Sequence, residues 1–410
     1  MTIWLVPRDE MTPEQIRAIE LDPREHRVIF GAPGSGKTQV LLHRARHLSD
    51  ALDVQPERFR IFVFTNALKD YIQSALQLLD LPEDSVVTLD DWCRHWYRGH
   101  IGGRMPWDSK TKTPDFTAIR YAVLEHIRAQ SSFSPPYDFV LVDEGQDLEA
   151  DSFDLLRIIA KHVTVCMDNK QQIYEGRSSE TDILRRLGLR KRNVGLLEAF
   201  RCSPYIAALA AEFIDDPEDR TFFLRQTRTA QTGRETPLLY LASDFKNETE
   251  RLVDIVRVRL DQGERIAILF PMNRQVHGFA QGLRNVGLEV ETKGEYDFSS
   301  DRPKLMTYHA AKGLTFDTVL MPRLVPKSFS RLDRYRVERL LFVGIARATK
   351  WVYMSSVQGQ ELPSLERVRP LAAQGLLTIQ EGAPVVAMAG RTVQSGESAP
   401  TDDDDLLDLL

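Results

Sequence analysis

Apolar positions along the chain fall into two alternating kinds of run. Short, nearly continuous apolar stretches occur at residues 27–30, 60–65, 139–142 and 163–167, and again at 238–241, 266–270, 304–307, 318–321 and 351–355. Between them lie segments whose apolar residues recur every three or four positions, among them 68–79, 153–160, 205–213, 248–260 and 337–348. Apolar strands alternating with amphipathic helices predict an α/β fold with parallel sheets. Two series of strands predict two sheets, hence two domains, over 1–195 and 196–380, with the break near the basic "LGLRKRN" segment. From about residue 381 the periodicity gives way to Gly, Ser, Thr, Pro and Asp, which reads as a flexible acidic tail over 381–410. No internal sequence repeat is visible.

Composition narrows this picture only a little. The 410 residues allow two or three separate cores, and no apolar run approaches the length of a membrane span. The N-terminal "MTIWLVPRDE" has no basic leader or cleavage site, and the three cysteines are widely spaced, so a cytoplasmic location is expected. Net charge is −6, but "TDDDDLLDLL" at the end holds five aspartates, and the rest of the chain is nearly neutral. Any basic surface for nucleic acid must therefore be local. The tail itself combines repelling charges with leucines it cannot bury, a composition suited to docking on a protein partner.

Candidate chemistry begins where the first strand ends, in "VIFGAPGSGKTQV". Residues 31–38 fit G-x-x-x-x-G-K-[ST], a loop whose backbone amides can turn inward around phosphate oxygens because glycine tolerates the required dihedrals. The following helix offers its positive N-terminal end to the same anion. Gly31, Ala32, Pro33, Gly34, Ser35, Gly36, Lys37 and Thr38 thus form a candidate ATP site, with Lys37 reaching the β and γ phosphates and Thr38 ligating Mg²⁺. In "YDFVLVDEGQDL" a second apolar strand delivers two acids at its carboxyl end, where ligands bind in open α/β sheets. Asp143 is the candidate Mg²⁺ holder, and Glu144 the candidate acceptor of the attacking water's proton.

With these landmarks the chain resembles a superfamily 1 helicase of the UvrD/Rep/PcrA type, through seven motifs in order over residues 11–349. "MTPEQ" resembles the segment whose glutamine reads adenine, here Gln15. "VFTNALKDYI" is similar to the T-F-T-N single-strand segment, giving Phe64, Thr65 and Asn66. "VDEGQDL" matches the D-E-x-Q-D box. "MDNKQQIYEGR" looks like G-D-x-x-Q-S-I-Y-x-x-R, which makes Gln171 the phosphate sensor and Tyr174 its companion. "LEAFRCS" resembles L-x-x-N-Y-R-S, making Phe200 the adenine-stacking ring and Arg201 a γ-phosphate contact. "LMTYHAAKGLTF" is similar to L-M-T-x-H-x-A-K-G-L-E-F, which adds Thr307 and His309 toward nucleic acid and Gly313 toward nucleotide. "ERLLFVGIARAT" resembles R-R-L-x-Y-V-x-x-T-R-A, with Arg347 as the arginine finger. The resemblance implies two RecA-like P-loop NTPase domains with the ATP site in the cleft between them, and single-stranded or partly duplex DNA as partner.

Four departures from the family pattern set limits on activity. Only about 40 residues fill the first of the family's two large insertion sites, and the second is nearly empty, which implies a stripped motor core. Gly176 replaces the aromatic of the glutamine motif, leaving Phe64, Trp92, Trp96 and Tyr174 as candidate stacking rings. Gln39 stands where an arginine normally flanks adenine and is the candidate nucleotide contact there, with a weaker adenine sandwich, and Thr315 replaces the glutamate of K-G-L-E-F. ATP hydrolysis is the firmer expectation, and strand separation the weaker one. The competing expectation is a DNA-regulated ATPase switch that serves a partner such as a nuclease.

Overall fold

The computed structural model describes residues 4–31, 34–109, 112–168, 180–189, 194–196, 199–229 and 235–382. The chain divides into two compact units, Met1–Phe200 with Gln226–Arg228 and Asp297–Ser299, and Arg201–Arg225 with Thr229–Tyr296 and Ser300–Leu410. Each is a parallel α/β unit, as the strand pattern predicts.

Among the described residues, the first unit's large sheet has strands β1 (Arg27–Gly31), β2 (Phe59–Val63), β3 (Val86–Thr88), β4 (Tyr137–Val142), β5 (Ala160–Met167) and β6 (Val194–Leu196) in the order β3-β2-β4-β5-β1-β6. The second unit's sheet has β7 (Leu238–Ala242), β8 (Ile266–Phe270), β9 (Lys304–Thr307), β10 (Phe316–Met321), β11 (Ala348–Val357) and β12 (Thr378–Glu381) in the order β9-β8-β10-β11-β7-β12. Numbered from its own first strand, each sheet has the same order. All pairings within both are parallel, so every strand of a sheet ends at one common edge. The repeat that the sequence does not show is thus a repeat of topology.

Burial explains why these runs are apolar. Val28, Ile29, Val140, Leu141, Val163 and Val165 are shielded on both faces of the first sheet, as are Ala267, Ile268, Leu305, Val319 and Leu320 in the second. The helices between strands begin at side-chain caps. Thr65, Thr88, Asp115, Asp244 and Asp333 each accept a backbone N–H one turn into their helix. Three short edge or near-edge strands, β3, β6 and β12, have too few residues to show a period. The last runs to Glu381, so the boundary expected at 380 falls inside a strand.

At their strand-end edges the two units differ. In the second, Arg323 lies two residues beyond β10 in a left-handed conformation (φ 59°), and its guanidinium meets the buried Glu248 carboxylate at 3.1 Å. Glu248 also accepts hydrogen bonds from Ser355 Oγ and the Arg323 amide. A buried ion pair fills this edge. In the first unit the same position beyond β4 is Glu144, also left-handed (φ 53°).

The first unit carries a second buried cation. Arg44, in the helix Lys37–Ala51, is fully shielded and donates to the carbonyls of Ile19 and Leu21, to Thr164 Oγ1 and toward His162 Nε2. Burial, reinforced by the Arg44 charge, pushes the His162 imidazole down to about 3. Its unfolded value is about 6.5, so the neutral ring stabilises the fold fully above that pH and progressively loses its contribution as pH falls toward 3. Tryptophan fluorescence, which reads Trp4, Trp92, Trp96 and Trp107 in this unit, is expected to show a denaturant midpoint that drops between pH 6.5 and 4.5. His162→Gln should flatten that slope by about one proton, and an unchanged slope would contradict the assignment.

Candidate active site

Because β1 and β4 run parallel with only β5 between them, the loops that follow them open at the same edge of the sheet. The loop after β1 leads into the helix Lys37–Ala51, whose N-cap is Gly36 in a left-handed conformation (φ 80°) with no side-chain cap. Its first-turn N–H groups therefore keep their capacity for an anion, unlike those of the side-chain-capped helices. Gly34 is also left-handed (φ 75°) and exposed. Ser35 is buried at 2% exposure, and its hydroxyl has no hydrogen-bond partner among the described residues. A buried hydroxyl of that kind is costly unless something completes it, and a phosphate oxygen has the right chemistry. Ala32 and Pro33 lie outside the described residues.

Lys37 donates to the Gly31 carbonyl at 2.8 Å, closing the loop on itself, and its ammonium lies 3.9 Å from the Asp168 carboxylate. Thr38 Oγ1 donates to Asp143 Oδ2 at 2.6 Å. The two candidate metal ligands are thus already side by side. Burial and the Glu144 carboxylate next to it push the Asp143 carboxyl up to about 6. A divalent cation held by Thr38 and Asp143 would relieve that repulsion, so the donor set fits Mg²⁺.

Glu144 is buried, and its N–H donates to Asp143 Oδ1 at 2.9 Å. Its carboxylate accepts from the Gln146 amide, whose oxygen accepts the Asp168 N–H at 2.9 Å. Gln146 and Asp168 carry no role in the sequence reading, though both stand inside quoted motifs, the D-E-x-Q-D box and "MDNKQQIYEGR". Gly145 lets the segment press against β5, since a Cβ there would come within 2.3 Å of Val165 Cγ1.

Gln15 sits beside the loop. Its side chain completes a capping box with Thr12 and donates to the Ser35 carbonyl at 3.0 Å. Gln39 turns elsewhere. Its amide accepts from Val6 N–H and donates to the Trp4 carbonyl, which ties down the N-terminal segment. The corresponding sequence expectation of nucleotide contact is not what this conformation shows.

Thr65 caps the helix Asn66–Leu76, Asn66 is exposed, and Phe64 is half-buried against the core. Phe64 also lines a cavity of about 350 Å³ whose walls include Asp90, Asp108, Asp115, Asp147, Glu149 and Arg120. Trp92 stacks on Trp96 and donates to the Tyr137 hydroxyl, so both rings pack against the core. In the second unit Thr307 accepts the Ala310 N–H, and His309 is half-buried with its imidazole held down by burial and Lys312. Gly313 is left-handed (φ 80°). Arg347 is buried in its own unit, donating to the carbonyls of Val343 and Leu314. Gln171, Tyr174, Gly176 and the acidic tail from 383 lie outside the described residues, as do the side chains of Phe200 and Arg201.

An uncapped glycine loop, a lysine at the helix start and a threonine bonded to a strand-end aspartate define a P-loop nucleoside triphosphatase site. The particular family follows from the comparisons. Residues 15–177 match the AAA domain family and residues 299–359 match the UvrD-like helicase C-terminal domain, together more than half the chain. The chain belongs to the UvrD-type superfamily 1 helicases. It is 24% identical over 248 residues to a "Probable DNA helicase" of Mycoplasma pneumoniae, covering 55% of this chain and 45% of that protein. It is 23% identical over 386 residues to the mitochondrial ATP-dependent DNA helicase HMI1 of Saccharomyces cerevisiae, covering 72% and 54%. The solved C-terminal domain of a possible DNA helicase from Lactobacillus plantarum aligns with 45% of this chain and 99% of its own, at 19% identity and a TM-score of 0.35. The chain spans about half the length of the curated relatives it matches. No helix among the described residues is long and apolar enough to cross a membrane.

Gly145→Ala should lower the melting temperature, because overpacking of this kind costs about 1–3 kcal/mol. Adding Val165→Ala removes the clashing methyl and is expected to restore most of the loss. A double variant no more stable than the single one would show that the two positions do not meet.

Proposed function

We propose that this chain is an ATP-hydrolysing DNA motor, driven by nucleotide bound in the glycine loop and stimulated by single-stranded DNA. The observation that carries the reading is the Thr38–Asp143 hydrogen bond, formed at the mouth of an uncapped helix. Mg²⁺, when bound with ATP, supplies positive charge against the β and γ phosphate oxygens. Lys37 exchanges the Gly31 carbonyl for phosphate oxygen, and Ser35 gains its missing partner. Glu144 accepts a proton from the attacking water. Gln171 serves as phosphate sensor, while Arg201 and Arg347 of the second unit neutralise charge on the departing phosphoryl group. A 3′-to-5′ direction and a place in repair, recombination or defence are part of the same proposal, which takes its substrate class from the DNA helicases the chain is similar to.

A second reading, an ATPase switch that serves a partner such as a nuclease, is favoured by one feature. Where the family carries its second large insertion, residue 291 bridges directly to residue 304 across a short loop closed by the buried Glu291–Lys304 pair. Duplex-gripping parts have little room there. ATP turnover measured with single-stranded DNA, duplex DNA, RNA and no nucleic acid tests the first reading, and strand displacement with and without a partner separates the two. Turnover indifferent to every nucleic acid would overturn both.

Lys37→Ala should abolish hydrolysis and weaken nucleotide binding, whereas Glu144→Gln should abolish hydrolysis and leave binding intact. Normal turnover in the glutamine variant would show that the base is misassigned. Arg347→Ala should cut kcat by a factor on the order of 10³ with little change in nucleotide affinity, and a loss of affinity at unchanged kcat would make it only a binding residue.

A further inference from the structure

Gln146 is 1% exposed and commits both ends of its amide inside the first unit. The Asp168 backbone N–H is a donor and nothing else, so the atom facing it at 2.9 Å must be the amide oxygen. That fixes which way the amide points, and leaves its NH₂ directed at the Glu144 carboxylate. Glu144 is held on the other side by its left-handed backbone (φ 53°) and by its own N–H bond to Asp143. Gly145, with no Cβ, allows the turn to lie flat on Val165. The next residue along β5's exit, Asp168, brings its carboxylate to 3.9 Å from the Lys37 ammonium.

We propose that Gln146 is a positioning residue for hydrolysis, an amide clamp that sets the Glu144 carboxylate by reference to the end of β5. The clamp spans two loops that the nucleotide must address together. One carries the proton acceptor, and the other faces the lysine that meets the phosphates. A neutral amide suits the task, because it donates to one partner and accepts from the other without adding charge to a crowded acidic site. A carboxylate that swings by one rotamer would miss the water, and misplacement on the scale of an ångström costs orders of magnitude in rate. This inference rests on the hydrolytic reading above.

Gln146→Met keeps the volume and removes both hydrogen bonds. The expected result is a fall in DNA-stimulated kcat on the order of 10- to 100-fold, with nucleotide affinity within about twofold of wild type, and a lower melting temperature because the buried Asp168 N–H loses its acceptor. In a Glu144→Asp background, where the shorter carboxylate is already drawn back from the amide, Gln146→Met should cost less than it does in the wild-type chain. A parallel loss of nucleotide affinity, an equal extra loss of kcat in the Glu144→Asp background, or an unchanged kcat would each overturn the proposal. If the wild-type chain binds ATP but never turns it over, the hydrolytic reading is what fails. The clamp is then read from hydrogen exchange at the Asp168 amide, which Gln146→Met should accelerate. Unchanged exchange there overturns the clamp itself.

Discussion

The hydrogen bond from Thr38 to Asp143 joins residues 105 positions apart, and the site exists only because the fold makes that approach obligatory. Thr38 starts the helix that follows β1 and Asp143 directly follows β4, and parallel pairing through β5 brings both strand ends out at one edge. The core valines and isoleucines of those strands hold the spacing, and the carboxylate is desolvated by the same packing. Shielding raises the cost of the Asp143 charge, so the packing that stabilises the sheet also makes a cation beside that carboxylate favourable.

Around that bond the polar groups of the first unit form a connected set rather than isolated contacts. Lys37 closes on Gly31 and faces Asp168, Asp168 anchors Gln146, and Gln146 holds Glu144. The corresponding edge of the second unit is occupied by Glu248, Arg323 and Ser355. Two units of the same topology therefore use one region of their sheets differently. One leaves hydrogen-bonding capacity open, and the other satisfies it internally.

The sequence makes the loop, its lysine, Thr38 and the acids after β4 legible, since each lies in a contiguous motif tied to a strand end. What it hides is long-range. Gln39 follows the lysine and threonine directly, yet its partners are backbone groups of residues 4 and 6, which no motif carries. The burial of Arg44 with His162 is equally silent, because a charged residue inside an amphipathic helix reads as a solvated one. β3 and β12 are three and four residues long, below the reach of periodicity, and the shared strand order of the two sheets is written in connectivity rather than in residues.

That strand order has a consequence for biosynthesis. In each sheet the first strand to be made pairs on one side with the last, β1 with β6 and β7 with β12. Until residues 194–196 leave the ribosome, the strand that carries the glycine loop is a bare edge presenting Val28, Ile29 and Phe30, and the second sheet stays open until 378–381 follow. Exposed apolar edges invite pairing with other chains. Products that terminate anywhere between β5 and β6 would carry the glycine loop and the acids after β4 beside an unpaired β1 edge, and are expected to be prone to association.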